Sequence, residues 1–271
     1  MSKNDIEPAM GSEVPSREKT RSIGLFTLSP EIIEKLHLVS RVEERNNNNK
    51  RTFANPSALG LMGFVLTDTT LAMVLMGWGG ASSAASVVGI FFFTGPVLLL
   101  LSTIFEWIMG NFFTMMVNGY LCVFYLSLGI VELPSAGVAA SYSTTGNATE
   151  GSFSIGYNMG LSLYTIALGS ALLTFFVFSL RINVVLALIF SGAAAACYIL
   201  SAAYWNTSVA GLDLAMRLQH VAGGLLFVIG LLAWYATVAI MAKEMDFPVR
   251  LPMGDLSRFW YQTNMDPEHG N

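Results

Sequence analysis

Residues 184–204 read VVLALIFSGAAAACYILSAAY, a stretch without one charged side chain. A bilayer core of about 30 Å is crossed by roughly 20 residues of helix, because no water is present there to satisfy exposed backbone groups. The stretch has that length. Five further apolar runs stand at approximately 57–77, 87–107, 112–131, 157–180 and 218–242. All are about twice too long for the strands of a membrane barrel, and period-two alternation does not recur along them. The expected fold is therefore an all-α membrane protein, with six transmembrane helices in a bundle.

Working outward, the composition agrees. The chain has 271 residues, 54% of them hydrophobic and only 12% charged, and a mean hydropathy of +0.57, which excludes most soluble classes. Of its charged residues, 17 precede Asn55 and seven lie between Asn55 and Ala242: Asp68, Glu106, Glu132, Glu150, Arg181, Asp213 and Arg217. The net charge of -4 provides no broad basic surface, so nucleic acid is not an expected partner. Cys122 and Cys197 sit within apolar runs and read as small hydrophobes.

Positive residues are retained on the cytoplasmic side of a membrane. With both termini cytoplasmic, 13 of the 14 Lys and Arg fall on that side, and Arg217 alone on the other. The glycosylation patterns at Asn147 and Asn206 then lie in loops on the outside. Residues 1–54 read as a largely disordered cytoplasmic tail with no apolar leader, residues 55–242 as the transmembrane domain, and 243–271 as a cytoplasmic C-terminal tail. Within the first tail, Ser29-Pro30-Glu31 followed by Ile32, Ile33, Leu36 and Val39 suggests a short helix near 30–43, on the inner leaflet or in solvent.

The first span opens Asn55-Pro56-Ser57-Ala58-Leu59-Gly60-Leu61. Asn55 suits an N-cap and Pro56 the first helical position, and the helix N-terminus points partial positive charge at the membrane edge. This stretch resembles the N-P-A-P-L-G-L signature of the acetate uptake transporter family, which includes bacterial succinate-acetate permeases and fungal acetate and ammonium export proteins. Glu106-Trp107-x-x-Gly110-Asn111, Phe124-Tyr125-Leu126-Ser127, His220-Val221-Ala222-Gly223 and Leu251-Pro252-x-Gly254-Asp255 extend the likeness over about Phe53 to Ser257.

The resemblance implies a plasma-membrane transporter or channel for acetate and related short monocarboxylates, proton-linked and hexameric. It also implies a constriction of phenylalanine, tyrosine and leucine on the first, third and fifth spans, where this chain has Phe64, Leu121 and Ala193, with Ala233 beside them. The neck is thus expected to be wider and without its hydroxyl, unless Tyr120 takes the place of Leu121. Ser57 and Ala58 replace Ala and Pro of the signature, which predicts a looser turn, and Pro96 predicts a kink inside the second span.

Asp68 shares a helix face with Gly60 and Phe64. A charged aspartate at that depth costs about 2.5 to 3.5 kcal/mol on insertion scales, so it needs a partner, water or a proton. It either takes part in proton coupling or substrate repulsion, or is a neutral aspartic acid that hydrogen-bonds to another helix. His220 is a second candidate for proton coupling. Glu106 and Asn111 mark the cytoplasmic mouth, as a gate or as an anchor with a structural ion pair. Gly156-x-x-x-Gly160 reads as a packing element. No enzyme, cofactor or metal is expected, because heme-ligand, thiol-catalytic and phosphate-loop patterns are missing. Ammonium export and a transport-inactive sensor or adaptor are the alternatives to acetate passage.

Overall fold

A computed structural model of the chain describes residues 54–209, 211–249 and 251–256. The region suggested as a helix near 30–43 lies outside these. The described helices all belong to one compact unit that begins at Ala54.

Six helices are long and apolar enough to cross a membrane. We label them α1 (Ser57–Leu75), α2 (Thr94–Met109), α3 (Phe112–Glu132), α4 (Ile155–Ser179), α5 (Val184–Val209) and α6 (Leu212–Glu244). No strand occurs among the described residues beyond an isolated bridge, Asn183 to Asp255. Helix starts follow capping chemistry: Asn55 Oδ1 accepts from the Ser57 amide (3.0 Å), Ser154 Oγ from Tyr157 (3.2 Å) and Asn183 Oδ1 from Leu186 (2.8 Å). Gly110, at φ +75, makes the tight turn from α2 to α3.

The second span begins as a 3-10 helix, Ala84–Phe91, and continues as α2. Pro96 lies in the first turn of α2, where a missing N–H is no loss, and the span changes from 3-10 to α geometry at Phe92 and Phe93 just before it. The Pro96 carbonyl accepts from Cys122 Sγ at 3.4 Å. Two spans run longer than their apolar cores suggest. α6 starts at Leu212 because Asp213 and Arg217 fit an exposed end, and α5 continues through Asn206 and Thr207, whose side chains donate back to Ala202 (2.7 Å) and Ala203 (3.0 Å). Asn206 is consequently part of a helix and half-buried, which corrects its assignment to an outer loop.

α1 packs against α2 and α6, α2 against α3, α4 against α5, and α5 against α6. Small residues set these distances. A Cβ on Gly95 would stand 2.5 Å from Thr67 Oγ1, and one on Gly230 2.3 Å from Thr69 Cγ2. Gly160 has open space beside it, so the Gly156-x-x-x-Gly160 pattern forms no helix contact within the subunit; Gly156 faces Tyr142. α3 and α4 meet differently, through rings: Phe113 and Tyr120 stand edge-on to Phe175 (6.2 and 5.6 Å), and Tyr164 packs beside Phe124 while its hydroxyl pairs with Ser127. Beyond α6 the chain returns to the α4–α5 turn. Val184 donates to Gly254 (2.9 Å), Leu256 to Ile182 (3.2 Å), and Tyr235 Oη to Pro252 (2.8 Å).

Candidate functional site

The helices enclose a cavity of about 900 Å³ that runs along the bundle. Its wall comes from α1, α3, α4, α5 and α6, while α2 contributes no lining side chain. On α1 the lining positions include 57, 61, 64, 68, 71 and 75, and on α3 they include 118, 121, 125, 128 and 132. Both sets step by three and four, as one helix face must.

Phe64, Leu121 and Ala193 all line this cavity. They lie seven, nine and nine residues from the starts of α1, α3 and α5. These three helices start at the same end of the bundle, so at about 1.5 Å per residue the three side chains stand at a common depth, roughly 10 to 14 Å in. Leu121 keeps its place, because Tyr120 points to Phe175 and is not part of the wall. Aromatic bulk near this layer comes instead from Phe190, edge-on to Phe113 at 5.9 Å, and from buried Tyr125 one turn beyond Leu121. Ala233 is fully buried but stands off the wall; α6 offers Gln219, Leu226, Ala236 and Ile240 to the cavity.

Asp68 lies on the cavity wall one turn past Phe64 and is buried. Its Oδ2 has no hydrogen-bond partner, alone among the buried side-chain oxygens and nitrogens of the described residues. An unpaired buried polar atom is costly, so the alternative of a bond to a neighbouring helix is not realised for this oxygen. His220 is exposed and does not line the cavity.

Glu106 is fully buried behind the N-terminus of α1 and lines no part of the cavity. Ser57 Oγ donates to its Oε1, and Asn111 Nδ2 to its Oε2 at 2.6 Å. The expected ion pair is thus replaced by two neutral donors. Next to it, Ser102 Oγ donates to the Pro56 carbonyl (2.8 Å) and Asn118 Nδ2 to Ser102 Oγ (2.9 Å). Gly60 is needed there, since a Cβ would stand 2.6 Å from the Asn118 amide. Ser57, expected to loosen the signature turn, ties it to α2. Leu59, the remaining signature residue, is exposed on the outer face of α1.

At the opposite end, Ala148, Thr149, Ser152 and Phe153 complete the wall from the loop before α4. Asn147 is exposed and caps the short helix Ala148–Ser152, accepting from the Thr149 amide at 2.9 Å. Exposed Glu150 accepts from the hydroxyls of Ser143 (2.6 Å) and Thr144 (3.4 Å), as well as from Thr145. The bonds from Ser143 and Thr145, in that order, hold its carboxyl below the ordinary value of 4.5. A depressed carboxyl stabilises the fold above its unfolded pKa and loses that contribution as pH falls through the folded value. Amide exchange at Thr149, corrected for intrinsic rates, is therefore expected to stay slow above about pH 4.5 and to speed up below it. Unchanged protection in acid would contradict this.

Sequence reasoning gave no site role to Asn118, Ser102, Phe190 or Glu132, and met Tyr125 only as part of the Phe124-Tyr125-Leu126-Ser127 likeness. Stepping by three and four from Leu121 along α3 reaches Asn118, Tyr125 and Glu132; Ser102 carries no such signal.

Six apolar spans around an enclosed cavity define a multi-pass membrane protein. The chain belongs to the GPR1/FUN34/yaaH family, whose pattern matches residues 41–258. It is 38% identical to protein alcS of Aspergillus fumigatus over 86% of both chains. It is 30% identical to the acetate transporter protein patA of Aspergillus clavatus, covering 76% of this chain and 80% of the relative. The fold matches the bacterial acetate channel SatP with a TM-score of 0.60 at 22% identity, over 74% of this chain and 99% of that one.

Proposed function

We propose that the chain is a plasma-membrane transporter or channel for acetate and related short monocarboxylates, with both termini cytoplasmic and passage linked to protons. The observation that carries this is the lining of the cavity: apolar side chains, neutral donors such as Ser57, Asn118 and Gln219, two carboxylates and no Lys, Arg or His among the described residues. A dianion finds no compensating charge along such a wall, whereas a small acid accompanied by its proton meets a much lower barrier. The neck at Phe64, Leu121 and Ala193 then sets the size of what passes, and Asp68, just beyond it with an unspent oxygen, is placed to receive a proton. Asn55, Pro56, Leu59, Gly60, Glu106 and Asn111 serve as the frame of the cytoplasmic mouth, Asn147 as the outer glycosylation site, and the subunits as a homo-hexamer. His220 has no part in the path.

Ammonium is the second reading, favoured by the same two carboxylates. Proteoliposome uptake of labelled acetate and of methylammonium separates the two. Acetate flux is the expected result; methylammonium flux without acetate flux would overturn the choice, and absence of both would point to a sensor or adaptor. Asp68→Thr is expected to keep acetate flux within about threefold while removing its acceleration by an inward proton gradient, the signature of a lost proton site. Unchanged flux and unchanged response to the gradient would remove Asp68 from the mechanism.

A further inference from the structure

Glu132 ends α3 at the cavity mouth remote from Glu106. It is half-buried and lines the cavity, as do Tyr157 near the start of α4 and Tyr204 near the end of α5, at the same end of the bundle. Three helices thus line this mouth. Of the other carboxylates, Glu106 is committed to Ser57 and Asn111 and Glu150 to three hydroxyls, while buried Asp68 keeps one oxygen without a partner.

No Lys, Arg or His among the described residues lines the wall to offset Glu132. Arg217 and His220, on α6 toward the same end, are exposed and stand off the lining. The other charged residue of the lining is Asp68. Glu132 lies 20 residues into α3 and Asp68 11 into α1, so at about 1.5 Å per residue they are separated by roughly 13 Å along the bundle. Along the described lining, a solute arriving at this mouth past the exposed Glu150 loop therefore reaches Glu132 well before Asp68. Low-dielectric walls focus the field of a single charge placed in such a throat, and acidic side chains in a pore select for cations over anions.

We propose that Glu132 is the specificity-determining residue of this mouth. It turns back the anionic form of a short acid and any dicarboxylate, so that acids pass as undissociated molecules, and it admits small ammonium-type cations. This rests on the reading of the cavity as the substrate path.

The test uses the full chain in proteoliposomes at one fixed pH, with labelled acetate and methylammonium as probes and succinate as competitor. Glu132→Gln is expected to raise the acetate-to-methylammonium flux ratio about fivefold and to make succinate a better competitor, as loss of a pore charge requires. Glu132→Asp, which keeps the charge, is expected to hold the ratio within about twofold of the original. If the glutamine variant does not fold, Glu132→Ser takes its place. Acetate uptake in the unmodified protein with the same ratio in the neutral variants overturns the role of Glu132 and leaves the path standing. An unmodified protein that moves neither probe overturns the path, and the role of Glu132 with it.

Discussion

Replacing Glu106 by alanine is expected to destabilise the folded bundle by about 3 kcal/mol, the cost of removing a fully buried acceptor that serves half-buried Ser57 and exposed Asn111 and leaving a void beside α1. The side chain is fully buried and both of its oxygens are used, one by Ser57 at the start of α1 and one by Asn111 at the start of α3. It therefore joins three helices at one point. The neighbouring chain from Asn118 through Ser102 to the Pro56 carbonyl joins the same three. Loss of Glu106 should consequently loosen the adjacent bonds as well, since members of one network do not contribute independently. Glu106→Gln gives the contrast. Its amide oxygen can still accept from Ser57, and a reorientation of Asn111 lets that side chain accept from the new amide nitrogen, so about 1 kcal/mol is the expected loss. Thermal unfolding in detergent, followed by helix signal, measures both. If alanine and glutamine variants melt together with the unmodified protein, the carboxylate does not fasten these helices.

Much of the fold was legible because its cause is crude: a run such as 184–204 has no stable place outside lipid or a large core. What escaped was set by single polar groups. The extension of α5 over Asn206 and Thr207 depends on side chains bonding to carbonyls one turn back, a choice that Ser, Thr and Asn leave open until the surrounding helices are present. Pro96 signalled a break in its span, and only the structure fixes where. Proline breaks or starts a helix according to where the preceding turn ends, and here Ala84–Phe91 ends just before it.

The site was legible in proportion to its periodicity. Phe64 and Asp68 were placed on one face by spacing, and both line the cavity. Ala233 was not separable from Ala236 by composition, since both are small residues in an apolar helix, and the structure puts the second on the wall. Tyr120 and Leu121 differ by one residue and thus by about 100° around the helix, so the aromatic needed for the neck could not be assigned until Phe175 was seen to hold Tyr120. Glu106 drew attention as a gate because it is charged, yet burial behind α1 makes it a fastening.

If the cavity is the path, filling its neck should stop traffic without disturbing the frame. Ala193 contributes one methyl group at the depth of Phe64 and Leu121, and Phe190 and Cys197 line the wall one turn to either side. Ala193→Trp directs a ring into the cavity that Ala193 lines, and helix signal in detergent checks that the contacts of α5 with α4 and α6 are retained. Acetate flux in proteoliposomes is expected to drop about a hundredfold, as closure of a hydrophobic constriction requires. Ala193→Leu is the graded version. It narrows the neck without sealing it, and acetate flux is expected to stay within about threefold while a four-carbon acid slows about tenfold, because steric exclusion rises steeply once a solute matches the gap. The ratio of the two acids therefore reports on the neck itself, independently of how much protein is inserted. A tryptophan variant that folds, inserts and still carries acetate at the original rate would place the route outside the ring of Phe64, Leu121 and Ala193.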